Sequence, residues 1–200
     1  MSFNRENPSD NYRRMVALYR ELHSKGEVHL GLTPQETYPG ISMLPHTRRI
    51  KELIDKNGAR TILDYGCGKG YQYDLPTVEI PGIGMRDGIL DYWDVDEVHC
   101  YDPCVERFWK VPEGKFDGVV STDVLEHCCE EDIPWIVAEM FGYANRFVFA
   151  NVACYPALTT LPNGENAHTT IRPNEWWKDV FRTAASHHPQ VSWHLLVDTV

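Results

Sequence analysis

Three groups of residues that could bind a small polar molecule follow short apolar runs of the sequence. Asp64 and the glycine turn at residues 66–70 come first, and such a turn lets a ligand approach the backbone and its amide N–H groups. Asp102 follows a second apolar run, where a carboxylate can accept hydrogen bonds from the two hydroxyls of a ribose. Residues 121–127 follow a third run and include His127, whose imidazole can accept a proton near neutral pH.

The apolar runs themselves predict the strands that must position these groups. Residues 61–63, 98–101, 116–121, 146–152 and 191–197 have the length and β-branched content of buried strands. Residues 132–143 predict one helix, and Pro173 begins another that runs to Ala185. This alternation predicts an α/β fold with a mostly parallel sheet covered by helices, in which ligands bind at the carboxyl ends of the strands.

The N-terminal part of the chain predicts helices. Residues 9–23 form an amphipathic pattern, and Ile50, Leu53 and Ile54 mark a second helix that ends at Gly58. We expect one domain over residues 1–200, in which a helical segment at 1–58 covers the ligand of a core at 59–200. Prolines and glycines predict an irregular loop at residues 71–88, a second candidate cover.

In this order the three groups resemble the class I S-adenosylmethionine-dependent methyltransferases. Their acidic-x-Gly-x-Gly-x-Gly signature is matched at Asp64, Gly66, Gly68 and Gly70. The resemblance implies a Rossmann-like fold, S-adenosylmethionine as cofactor and methyl transfer as activity. It implies that the cofactor is bound by the following residues: Asp64, Tyr65, Gly66, Cys67, Gly68, Gly70, Asp102, Pro103, Thr122 and Asp123.

The same resemblance places His127 at the reacting end of the cofactor. We therefore expect His127 to accept the proton of the acceptor, with His168 as the second candidate and Asp123 and Glu126 as groups that orient the cofactor or the imidazole. The alternative is that both histidines are structural.

The spacing departs from the family pattern at two places. Asp64 and Asp102 are 38 residues apart, whereas a compact strand-helix-strand unit separates such acidic residues by about 20. Only 14 residues separate Asp102 from Phe116, which leaves little room for the family's usual third strand. Two interpretations of the residues after Asp102 stay open: they pack on the adenine instead, or their aromatic pair belongs to the core, which is the more common role of such a pair; these residues are Pro103, Cys104, Phe108 and Trp109.

Composition indicates the class of partner. The formal charge of −10 repels nucleic-acid phosphates and anionic lipids, and the string Asn/Asp-Pro-Pro-aromatic of nucleic-acid amino-methylating relatives is absent. A small-molecule acceptor is expected, and the polar loop at residues 155–172 is expected to bind it. An equally good interpretation is that this loop is only a solvated connector. We also expect Trp176 or Trp177 to line a pocket. The sequence predicts no export or membrane segment, hence a cytoplasmic protein, and it does not indicate an oligomeric state.

The residues support three other interpretations to different degrees. A nicotinamide-dependent oxidoreductase needs Gly-x-Gly-x-x-Gly, but Tyr71 stands at the last position. A non-catalytic subunit that binds the cofactor or a nucleoside remains open. The six cysteines include no Cys-x-x-Cys pair, so reduced thiols and no metal site are expected, with zinc at Cys100 and Cys104 the minor alternative.

Overall fold

The computed structural model describes residues 3–199 of the chain. Its helices are α1 (Asp10–Lys25), α2 (Thr47–Asn57), α3 (Tyr71–Asp74), α4 (Ile89–Trp93), α5 (Ile133–Tyr143) and α6 (Asn174–Ser186). Its strands are β1 (Thr61–Tyr65), β2 (Val78–Ile80), β3 (Gly84–Arg86), β4 (Glu97–Tyr101), β5 (Phe116–Thr122), β6 (Ala144–Ala153) and β7 (Ser192–Asp198).

Five strands form a central sheet in the order β4-β1-β5-β6-β7, and every neighbouring pair is parallel. The chain runs from β1 outward to β4 and then returns to β5 on the other side of β1. The strand order therefore reverses between β1 and β5, which is the switch point of an open α/β sheet. The predicted α/β, Rossmann-like architecture with a mostly parallel sheet is confirmed.

The first two helices begin or end as the sequence predicts. The hydroxyl of Ser9 accepts the N–H of Tyr12 at 2.9 Å and caps the start of α1. Gly58 ends α2 in the left-handed conformation at φ 59°, which glycine adopts without steric cost.

Helices cover both faces of the sheet. On one face α5 and α6 bury Met140, Phe141 and Phe181 against alternate residues of β1, β5 and β6. On the other face α2 and α4 bury Ile50 and Trp93 against the intervening strand residues. A strand with both faces covered is apolar at successive positions, which explains the continuous runs in the sequence.

The prediction of an irregular loop at residues 71–88 is wrong. The segment contains α3 and an antiparallel hairpin of β2 and β3, and α4 follows it directly. Val78 and Ile80 are almost fully buried and pack in the same apolar cluster as Ile50 of α2. These elements have three to five residues each, too few for a periodic pattern to show in the sequence.

The edge of the sheet at β4 is as the short spacing between Asp102 and Phe116 predicts. Between β4 and β5 there is only a 3-10 turn, Glu106–Phe108, and within residues 3–199 no strand lies beyond β4. β7 pairs in parallel with β6 and forms the other edge. In the same described part of the chain, no helix has the length and apolar character needed to span a membrane.

Candidate functional site

A cavity of about 460 Å³ opens at the carboxyl ends of β1, β4, β5 and β6, beside the switch point. Its volume is in the range of small-molecule sites. All three groups predicted from the sequence contribute to its wall, and the predicted residues that line it are Tyr65, Gly66, Gly68, Asp102, Pro103, Thr122, Asp123, His127 and His168. Asp64, Cys67 and Gly70 do not line it.

The amide groups of the glycine turn are already engaged. Every N–H of residues 66–70 donates to an oxygen atom of the protein. Gly66 and Cys67 share the carbonyl of Tyr101 at 2.7 and 3.1 Å, and Gly68 donates to the carboxylate of Asp102 at 2.9 Å. Contrary to the expectation from the sequence, these amides hold the turn itself and are not free to bind a ligand's carboxylate.

Close packing within the protein explains why glycine is needed at position 66 of the turn and at position 40 of the neighbouring loop. A Cβ atom on Gly66 would lie 2.4 Å from the side chain of Val124. A Cβ atom on Gly40 would lie 2.2 Å from the carbonyl oxygen of Cys67. The glycine turn therefore packs directly on the loop at residues 38–42, an approach that leaves no room for a side chain.

Asp64 binds neighbouring side chains outside the cavity. Its carboxylate accepts from the amide of Gln72 at 3.0 Å and the hydroxyl of Tyr73 at 2.8 Å, so it fixes α3. Burial raises the pKa of Asp64 to about 7, and the nearby charge of Asp102 contributes. The thiol of Cys67 is likewise buried away from the cavity, and all six cysteines are free thiols.

Asp102 lines the cavity and also holds the backbone around it. Its two oxygens accept from the amides of Gly68, at 2.9 Å, and Cys104, at 2.8 Å. Burial raises the pKa of Asp102 to about 6, so the group is mostly ionised at neutral pH. A carboxylate has about four acceptor positions, so two remain for a ligand's hydroxyls.

Of the four residues expected near the adenine, the two that are not aromatic line the cavity and the aromatic pair does not. Pro103 and Cys104 line the cavity, whereas Phe108 and Trp109 do not. Trp109 is half exposed, and the guanidinium of Arg20 lies over its ring at 5.4 Å. Trp177 is fully buried in the core, and neither it nor Trp176 lines the cavity.

Hydrogen bonds fix the tautomers of the two cavity histidines. The hydroxyl of Tyr19 donates its one hydrogen to the carbonyl of Ala167 at 2.6 Å, so Nδ1 of His127, at 2.8 Å, must be the donor to that hydroxyl. Nδ1 of His168 lies 2.5 Å from the carbonyl of Tyr155 and must also donate. Both rings therefore leave Nε2 as an acceptor, and their centroids are 4.8 Å apart.

Burial makes His127 a weak base. It lowers the pKa of His127 to about 3, and the neighbouring His168 contributes in the same direction. Burial also lowers the pKa of His168. The expectation that His127 titrates near physiological pH is not supported, and at neutral pH both rings are neutral hydrogen-bond acceptors.

Glu126 lies beside the two histidines and has no exposed surface. One carboxylate oxygen accepts the amide of Ala153 at 2.8 Å, and the other has no partner in the structure. Burial raises the pKa of Glu126 to about 8. A carboxylate oxygen of Glu126 and one ring nitrogen each of His127 and His168 lie within 4.8 Å of one another.

Thr122 and Asp123 carry the chain from the end of β5 into the 3-10 turn Leu125–His127. Asp123 has φ 52°, in the left-handed region that side chains other than glycine rarely adopt. The hydroxyls of Thr122 and Ser42 lie 3.1 Å apart on the cavity wall. This turn brings His127 to the same wall as Thr122 and Asp123.

The cover of the cavity comes from the N-terminal segment, as predicted. The lining residues of this segment are Tyr12, Met15, Val16, Tyr19 and His23 of α1, followed by residues 38–42. The segment 71–88, the other candidate, contributes no lining residue. No local pattern identifies Tyr38 or Ser42 as site residues, since they lie in a loop whose path depends on tertiary contacts. The hydroxyl of Tyr38 is buried without a partner.

The loop at residues 155–172 lies at the cavity. Its lining residues are Tyr155, Ala157, Leu158, Thr159 and His168. The side-chain oxygen of Asn166 accepts the amides of Ala157 and His168, both at 3.0 Å, which fixes the two ends of the loop relative to each other. The loop is therefore part of the site rather than only a connector.

The fold and the cavity together define an α/β protein with a cavity at the switch point of its sheet. Comparisons of the chain with models of protein families, with curated proteins and with solved structures gave no match.

Proposed function

We propose that the chain binds S-adenosylmethionine in this cavity and transfers its methyl group to a small-molecule acceptor. The observation that carries the proposal is the meeting of Asp102, the glycine turn and the two histidines around one cavity at the carboxyl ends of β1, β4 and β5. The resemblance of residues 64–70 to the methyltransferase signature supports the choice of cofactor. A cytoplasmic location also remains a proposal.

The side chains suit separate parts of the cofactor. Asp102 would accept hydrogen bonds from the ribose hydroxyls with its two remaining acceptor positions, and Pro103 and Cys104 would contact the base. Because the amides of the glycine turn are engaged within the protein, the amino-acid part of the cofactor would be held by two hydroxyls that line the cavity, those of Ser42 and Thr122. When bound, the cofactor supplies an electrophilic methyl group.

The acceptor would lie between α1 and the loop at residues 155–172. Apolar side chains from both elements, including Met15, Val16 and Leu158, form this part of the wall and suit an acceptor with an apolar body. The free Nε2 atoms of His127 and His168 would bind a hydroxyl or amine of that acceptor and hold it in position.

Two observations favour a second function, that of a non-catalytic subunit that binds a nucleoside. The turn amides donate within the protein, and within residues 3–199 the sheet has no strand beyond β4. Both features leave fewer protein contacts for the amino-acid part of the cofactor and for its adenine. A nucleoside-binding subunit needs only Asp102 and the cavity.

Calorimetric titration with S-adenosylmethionine and S-adenosylhomocysteine tests the proposal. Val16→Trp would fill the cavity from α1 and should abolish binding, whereas Ala17→Trp at the next, exposed position should bind as wild type does. A dinucleotide such as NAD serves as the competing ligand. Binding of NAD alone would overturn the proposal.

A screen for S-adenosylhomocysteine release over pools of metabolites then separates the two functions. Release that depends on an added pool supports methyl transfer. Tight cofactor binding without release over any pool supports the non-catalytic subunit.

A further inference from the structure

The carboxyl group of Glu126 is buried at the site and is only partly hydrogen-bonded. Its side chain has no exposed surface, and one oxygen accepts only the amide of Ala153 while the other has no partner. A buried polar atom without a partner costs about 1–3 kcal/mol, and more when the group is charged. Such an atom calls for a ligand that the protein itself does not provide.

The two histidines beside Glu126 present the same need. Nδ1 of His127 and Nδ1 of His168 donate to protein oxygens, so each Nε2 carries a free lone pair. Histidines that bind a metal ion usually donate their other ring N–H to a carbonyl or carboxylate, which fixes the ring and its tautomer. His168 has this arrangement with Tyr155, and His127 has it with Ala167 and Tyr19.

The distances suit a common ion. One carboxylate oxygen of Glu126 and one ring nitrogen of each histidine lie within 4.8 Å of one another, and the bonds of zinc to nitrogen and carboxylate oxygen measure about 2.0–2.2 Å. Atoms at that spacing would each need to move by less than about 1 Å toward a common centre.

We propose that Glu126, His127 and His168 bind one divalent transition-metal ion through a carboxylate oxygen and the two Nε2 atoms. Two imidazoles and one carboxylate suit zinc, manganese, iron or cobalt better than magnesium or calcium, which prefer ligand sets made of oxygen alone. Sequence spacing does not predict this metal site, because His168 is 41 residues from His127 and joins it only in the fold.

Three protein ligands leave coordination positions open, as in catalytic rather than structural metal sites. His127 and His168 line the cavity, so an open position would face it and would bind an oxygen or nitrogen atom of the acceptor in place of the direct contact with the two Nε2 atoms. This consequence rests on the proposed function, whereas the metal site itself does not.

Titration of the purified, chelator-treated protein with Co²⁺ tests the proposal, followed by calorimetry and by the visible absorption of the bound ion. Glu126→Gln keeps the acceptor for Ala153 but removes the charge, and His168→Ala removes one imidazole from a half-buried loop position. His187→Ala removes an exposed imidazole at the end of α6 and is the matched control. Thermal unfolding checks that each variant is folded, and if one is not, the other decides.

The expected result is one equivalent of Co²⁺ bound by wild type and by His187→Ala, with at least a tenfold weaker affinity in both ligand variants. Wild type that binds no Co²⁺, or binding that is the same in wild type and in the folded ligand variants, would overturn the proposal. S-adenosylhomocysteine binding is measured on the same samples. Its retention in the ligand variants keeps a failure of the metal site distinct from a failure of cofactor binding.

Discussion

The hydroxyl of Tyr19 in α1 lies 2.8 Å from Nδ1 of His127 and passes its own hydrogen to the carbonyl of Ala167. One hydroxyl thus ties the N-terminal helix to the end of β5 and to the loop that carries His168. It also keeps Nε2 of His127 free of protons. The N-terminal segment is therefore part of the site as well as its cover.

This relationship predicts the state of the imidazole in solution. Nitrogen-detected NMR should show His127 as the neutral tautomer protonated at Nδ1, and the ring should stay neutral down to about pH 4 because burial lowers its pKa to about 3. Tyr19→Phe should lose about 1 kcal/mol of stability in urea denaturation. Tyr12→Phe, a change to another cavity tyrosine of α1, is the control, and an Nε2-protonated His127 in wild type would refute the hydrogen-bond assignment.

Asp102→Ala should weaken S-adenosylhomocysteine binding by about 1–3 kcal/mol, because hydrogen bonds from ribose hydroxyls to a carboxylate are charge-assisted. Calorimetry measures the change, and Asp91→Ala at an exposed position of α4 should leave the affinity unaltered. Equal affinity for S-adenosylhomocysteine in the two variants would show that Asp102 does not bind the ligand.

Asp64 should make stability fall as the pH rises. Burial raises the pKa of Asp64 from 3.8 to about 7, so below pH 3.8 the group is protonated in both states and its favourable contribution is fully present. Between about pH 4 and pH 7 the unfolded state releases a proton that the folded state keeps, and that contribution is lost. Asp64→Asn removes this titration, so urea denaturation should show a smaller fall in its free energy of unfolding over this range. Parallel curves for variant and wild type would contradict the assignment.

Asp132 should be required to hold α1 over the cavity. Its buried carboxylate accepts from the amide and hydroxyl of Ser9 and from the indole of Trp135 at 2.7 Å. Asp132→Ala leaves these donors without a partner and should cost about 2–3 kcal/mol in denaturant unfolding. Glu131→Ala, which removes one exposed hydrogen bond with Asn11, should cost less than about 1 kcal/mol. Similar losses of stability in both variants would show that Asp132 is not required to hold α1 over the cavity.

Much of the fold could be predicted from local pattern. Residues 116–121 and 146–152 contain consecutive β-branched or aromatic residues, and the cap at Ser9 and the stop at Gly58 are local signals, so their elements are where the sequence places them. The hairpin of β2 and β3 was missed because its three-residue strands are held by packing of Val78 and Ile80 on α2.

Of the site residues, only those that lie after strands could be predicted from the sequence. Asp102 follows β4 directly and His127 lies five residues after β5, and the parallel sheet brings them to one cavity. Tyr38 joins them through a loop of the N-terminal segment, and no local pattern encodes that path. The use of the turn amides within the protein also depends on tertiary contacts, since Gly66 and Cys67 donate to the end of a neighbouring strand.

A crystal structure of the chain grown with saturating S-adenosylhomocysteine tests the central claim most directly. The account predicts the ligand in the cavity, with its ribose hydroxyls within hydrogen-bond distance of Asp102 and its sulfur toward the wall that holds His127 and His168. An empty cavity under those conditions, or the ligand bound elsewhere on the protein, would contradict it.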